Sequence, residues 1–206
     1  AAQAATVLPV CALTLAVGGD DLPVLGLCLL ALAFTALRRF GAAGLAVGAA
    51  GALKLFAWPV AVVLLATAVL SGRRGTGRYA AGAFGLPVLA LVPAFAIDPG
   101  AAIENVVRFP LGLGLVESPA ASPFPGHLIA TAVPGGRAVA AALLVLAALA
   151  IAGWLLRRPP PDARSAALVC ATGLLAAVLL LPATRFGYLL YPAAFAVWAP
   201  ALRLKR

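Results

Sequence analysis

The chain has no methionine, one histidine, three cysteines and only six acidic residues among 206, and each scarcity closes off a class of function. One histidine, His127, cannot build a histidine metal triad, so no metal site and no cofactor is expected. The cysteines, Cys11, Cys28 and Cys170, each sit inside an apolar run with no C-x-x-C spacing, which makes them small core residues rather than ligands or disulfide partners. Charged residues are 10% of the chain against about 25% in soluble domains, and apolar residues 64% against about 45–50%. A mean hydropathy of +1.10 completes the picture of a multi-span membrane protein, an all-α polytopic bundle in a lipid bilayer. The chain opens in mid-run, without methionine, a basic n-region or a small-residue cleavage site. Its start is therefore not expected to be a signal peptide, and residues 1–206 read as one transmembrane domain, the C-terminal part of a longer protein.

What is present is arginine, and it is sorted. Arg38, Arg39, Arg73, Arg74, Arg78, Arg157, Arg158, Arg164, Arg203, Lys205 and Arg206 fall in one set of loops, while the other set holds every acid except Asp162. A net charge of +9 distributed in that way marks cytoplasmic loops and excludes a nucleic-acid partner. Apolar runs cover residues 4–17, 22–37, 42–70, 79–97, 138–156, 165–181 and 188–202. The parity of the basic loops requires the 42–70 run to enter and return on the same side. It is expected to form two short helices hinged near residues 54–59, or a re-entrant hairpin. Gly41, Gly44, Gly48 and Gly51 follow a 3-4-3 spacing, which places them on one helix face and lets another helix approach closely.

The one long segment without an apolar run is 98–137, expected to be an extracytoplasmic loop. It contains Asp98, Glu104, Arg108, Glu117 and His127, broken by Pro110, Pro119, Pro123 and Pro125. Few polar residues elsewhere are candidates for chemistry. Lys54 lies in the apolar hairpin, where a charge at the centre of a span costs about 2.5–3.5 kcal/mol, so it calls for an anionic ligand or for a snorkelling position near a helix end. Asp20 and Asp21 precede a helix and fit an N-cap at Asp21; a sugar hydroxyl or a metal is their other, weaker reading. Arg185 stands at the outer edge of the last span and suits a phosphate or a loop carboxylate such as Glu117. Tyr188 and Tyr191 fit an aromatic belt. His127 is placed to orient a phosphate, to move a proton, or simply to tie the loop by a hydrogen bond.

Four pieces in this order carry a resemblance: GGDDLPVLGLCLLALAF, RRFGAAGLAVGAAGALKLFAWP, FPLGLGLVESPAASPFPGHL and LLPATRFGYLLYP. Together they resemble the C-terminal half of GT-C polytopic glycosyltransferases. The group they are most similar to is family 87, the polyprenyl-phosphate-mannose-dependent α-mannosyltransferase type, in its actinobacterial branch. The resemblance implies a multi-pass protein of the bacterial cell membrane. Its reaction moves a sugar from a polyprenyl-phosphate donor to a glycolipid or cell-envelope acceptor, with a loop aspartate as general base. In the family that loop precedes the region seen here, so this chain alone is expected to lack the base, and Asp20 or Asp21 is not promoted to replace it. Lys54, Arg185, Arg108, Glu117, Tyr188, Asp20 and Asp21 then become the expected substrate contacts, with His127 near the reacting groups. A transporter or lipid flippase, where broken helices and a buried lysine are equally natural, is the rival reading, followed by a membrane scaffold.

Overall fold

The computed structural model describes residues 21–109, 114–116 and 119–202. Asp20, Glu117, Cys11 and the first apolar run lie outside the described residues. The described chain forms helices α1 (Asp21–Ala36), α2 (Phe40–Leu53), α3 (Trp58–Val69), α4 (Arg73–Ile97) and α5 (Pro99–Ile103). These are followed by α6 (Pro125–Ala132), α7 (Gly136–Arg157), α8 (Ala163–Leu180) and α9 (Leu190–Trp198). Among the described residues, α4, α7 and α8 are each long and apolar enough to cross a membrane. The apolar core runs between α1, α2, α3, α8 and α9 through Val24, Cys28, Leu32, Val47, Leu64, Cys170, Leu174 and Phe195. Cys28 and Cys170 are free thiols in that core.

The return of the chain between residues 42 and 70 is visible in how α2 meets α4. A Cβ on Gly44 would strike the Tyr79 carbonyl, one on Gly48 the Gly82 carbonyl, and Gly51 lies against Pro87. Contacts that advance together along both chains mean that the two helices run parallel. The helix between them must therefore run back. The break comes at Lys54, whose extended backbone (φ −154°, ψ 130°) ends α2 before a 3₁₀ turn, Leu55–Ala57, opens α3 with Pro59 in its first turn. Two short helices and a hinge, rather than one long span, are thus what the basic-loop parity demanded.

Local chemistry sets the other turns. α1 stops where Arg38 takes a left-handed conformation (φ 56°). Its N–H donates to Thr35 O and the Arg39 N–H to Phe34 O, the paired bonds of a Schellman closure. Arg38 also donates to Ser71 Oγ across the turn between α3 and α4, so both turns lie at one end of the bundle. The Tyr79 hydroxyl donates to Ala61 O at 2.8 Å, fastening α4 to α3. Between α4 and α7 the segment is not a plain loop. Asp98 caps α5 by accepting from Ala101 N, and a π-helical turn, Glu104–Arg108, follows. Farther on, α6 leads to Gly135, whose φ of 73° suits glycine, and so into α7, which already includes Gly136 and Arg137.

Two ends result. One gathers the starts of α2, α4 and α8 and carries Arg38, Arg39, Arg73, Arg74, Arg157, Arg158 and Arg164. The other gathers the starts of α1, α3, α6 and α9, with Asp21, Lys54, His127 and Arg185. α4 outruns α2 by eleven residues, and its far part, Val88 to Ile97, is largely exposed apolar surface.

Candidate functional site

The second end holds a charged cluster made by three distant parts of the chain. Lys54 Nζ donates to Asp21 Oδ1 at 2.7 Å, with side-chain exposures of 20% and 14%. The Tyr191 hydroxyl donates to the same Oδ1 at 2.9 Å, reaching also toward Asp21 O at 3.3 Å. The Lys54 ammonium lies 5.1 Å from the centre of the Tyr188 ring, a cation–π arrangement. Phe56, two residues past Lys54, packs between the two tyrosines at 5.4 and 4.8 Å. The hairpin tip is therefore held to the first helix by charge and to the last by aromatic packing.

The geometry departs from the sequence reading at three residues. Asp21 is the first residue of α1, and its Oδ1 is taken by Lys54 and Tyr191, so the N-cap role does not describe it. Lys54 does not snorkel alone at a helix end, since a protein carboxylate meets it. Tyr191 is fully buried and hydrogen-bonded, which removes it from any lipid-facing belt. A hydroxyl buried at this depth needs an acceptor, and Asp21 supplies one. Tyr191 and Phe56 are the members that sequence reasoning missed. Tyr191 follows Tyr188 by three residues, about one turn, and this spacing was the one signal that could have grouped the two tyrosines.

A second assembly sits beside this cluster in sequence and joins the 120–127 stretch to the 182–186 stretch. Thr184 N donates to Ala120 O and Ser122 N to Thr184 O, both at 3.0 Å, while Phe186 N donates to Ser122 Oγ at 3.0 Å. Phe124 meets the Phe186 ring edge-on at 4.9 Å. Gly126 lies flush on Leu180, where a Cβ would stand 2.2 Å from its carbonyl oxygen. His127 Nδ1 is 3.0 Å from Pro182 O. A carbonyl oxygen only accepts, so Nδ1 carries a hydrogen and donates it to Pro182 O, which leaves Nε2 facing away from that contact. Among the described residues, Thr184 Oγ1 is buried without a hydrogen-bond partner.

Arg185 is exposed at the N-terminal side of the 3₁₀ turn Phe186–Leu189, one turn before Tyr188. Arg108 lies within the π-helical turn and pairs loosely with Glu104 at 3.8 Å; the Glu104 carboxylate also accepts from Leu115 N. The fold therefore brings Asp21, Lys54 and Tyr188 into one cluster and lashes His127 to the segment that carries Arg185. Arg108 is engaged with Glu104 in a separate turn. Among the described residues no three of His, Cys, Asp or Glu come together as metal ligands. A groove of about 470 Å³ between α2 and α4, lined by Gly41, Arg78, Gly82 and Leu89, involves none of these residues.

The family model described as Glycosyltransferase family 87 matches residues 1–182 of the chain. No curated protein and no solved structure matches it.

Proposed function

Because the chain belongs to glycosyltransferase family 87, and so is a membrane glycosyltransferase, we propose that it transfers mannose from a polyprenyl-phosphate carrier to an extracytoplasmic glycolipid or cell-envelope acceptor. The observation that carries this reading is the Lys54 cluster. It has an ammonium, partly open to the outside, beside Tyr188 at the bundle end opposite the arginine pairs Arg38–Arg39, Arg73–Arg74 and Arg157–Arg158. If the arginine end faces the cytoplasm, as the bias of basic loops favours, the cluster and residues 98–137 face outward in a bacterial cell membrane. A polyprenyl phosphate keeps its chain in lipid and its charge at the boundary, which is the level of a half-buried lysine and an exposed arginine at helix ends.

In the transfer, the acceptor hydroxyl oxygen bonds to the anomeric carbon as the bond from that carbon to the phosphate oxygen breaks. The electron pair leaves with polyprenyl phosphate, and the hydroxyl proton passes to a base. Lys54 and Arg185 are assigned to the donor phosphate, which they hold by charge-assisted contacts in the bound donor and in the transition state alike. Tyr188 faces the Lys54 ammonium and completes that side of the site. His127, oriented through Nδ1 by Pro182 O, is assigned to proton movement at Nε2. Asp21 is not the base, because Lys54 and Tyr191 already donate to its Oδ1. Glu117, Asp20 and Arg108, which pairs only loosely with Glu104 at 3.8 Å, are candidate contacts to the acceptor.

The test is sugar transfer from labelled polyprenyl-phosphate-mannose in membranes carrying the intact protein. Arg185→Ala and Lys54→Ala are each expected to raise the donor KM about tenfold or more, the weight of one charge-assisted contact. Transfer that uses a nucleotide sugar but not the polyprenyl donor would overturn the reading.

A further inference from the structure

We propose that Tyr191 and Asp21 are positioning residues for Lys54, holding its ammonium at the place where the donor phosphate binds; this rests on the donor reading above. Lys54 sits in the hinge rather than in a helix, on extended backbone (φ −154°, ψ 130°). Four flexible bonds would let that side chain wander, and a wandering ammonium is a poor phosphate contact. Asp21 pins it at 2.7 Å from one side, and the Tyr188 ring stands 5.1 Å away. Asp21 is itself held, because the buried Tyr191 hydroxyl donates to the oxygen that Lys54 uses. The order of support therefore runs from α9 through Tyr191 to Asp21 at the start of α1, and from there to Lys54 at the hairpin tip. A fifth of the Lys54 side chain stays open, so the pair is held without being sealed.

The chemistry also distinguishes the charge of Asp21 from its shape. A carboxylate beside Lys54 offsets part of the attraction for a phosphate, while an amide oxygen in the same place would hold the ammonium by a hydrogen bond without that offset. Asp21→Asn should therefore keep donor affinity, and Asp21→Ala should lose it. Tyr191→Phe removes only the hydroxyl and leaves the ring on Phe56.

Donor KM and kcat are measured with polyprenyl-phosphate-mannose on the intact protein, together with melting temperature, in wild-type and Lys54→Ala backgrounds. If Lys54→Ala does not fold, Lys54→Met, which keeps the length of the side chain without a donor, serves as the uncharged background. In the wild-type background Tyr191→Phe and Asp21→Ala raise the donor KM about three- to tenfold, the weight of one lost orienting hydrogen bond, with kcat within about twofold. Asp21→Asn stays within about twofold of wild type in KM. In the Lys54-uncharged background neither Tyr191→Phe nor Asp21→Ala changes KM further, since there is nothing left to position. An equal rise of KM in both backgrounds overturns the proposal, as does a lowered melting temperature and kcat with KM unchanged, which marks a mere brace. If Lys54→Ala raises KM while the Tyr191 and Asp21 variants do not, only the positioning claim fails. If Lys54 variants leave KM unchanged, the donor contact fails and the positioning claim falls with it.

Discussion

Gly48→Ala tests the parallel packing of α2 on α4 that makes the hairpin and brings Lys54 to the site. A Cβ there would lie 2.1 Å from the Gly82 carbonyl oxygen and 3.0 Å from its carbon. The obstacle is helix backbone, which cannot swing aside as a side chain would. Reaching ordinary contact near 3.4 Å asks the helices to part by roughly 1.3 Å, and overpacking of this kind costs about 1–3 kcal/mol. Replacing a helical glycine by alanine returns about 0.5–1 kcal/mol, so the clash wins by roughly 1–2 kcal/mol. At about 2–4 °C per kcal/mol for a chain of this size, the melting temperature should fall by about 2–8 °C. The measurement is thermal unfolding of the purified protein in detergent. Gly85→Ala is the control, because a Cβ at Gly85 meets nothing within 4 Å and should leave stability level or slightly raised. A Gly48→Ala protein that melts with or above wild type, while Gly85→Ala behaves as stated, would refute the close parallel approach and the hairpin drawn from it.

Two further predictions follow from the same geometry. A cysteine at Ser122 should react in intact cells with an impermeant thiol reagent while one at Thr76 stays unlabelled; the opposite pattern would invert the proposed sidedness. His127→Ala should lower kcat about 10- to 100-fold with little change in donor KM, the scale of a lost proton-transfer group, and a purely raised KM would show that His127 binds rather than moves a proton.

Much of the fold could be read before any coordinates, because a bilayer imposes simple rules on sequence. Apolar length marks spans, and arginine sorting marks sides. Together these required the 42–70 run to double back. The glycine spacing announced a face for close approach, and α4 is the helix that fills it. What remained illegible was partnership. Nothing along the chain says that Lys54 meets Asp21 rather than a ligand, since 33 residues separate them, or that Tyr191, 170 residues from Asp21, turns its hydroxyl inward. Periodicity reports which face of a helix is apolar, but α1 and α9 are apolar nearly all round, so it chose no face for Asp21 or Tyr191. The sequence by itself determined the membrane class, the hinge and the family, because these depend on hydropathy, charge and short local motifs, and three of its apolar runs became helices long enough to cross a membrane. Only the tertiary structure decided that Asp21 holds Lys54 and that His127 is tied to Pro182. Such pairings arise where helix ends converge, and convergence is set by packing across the whole bundle.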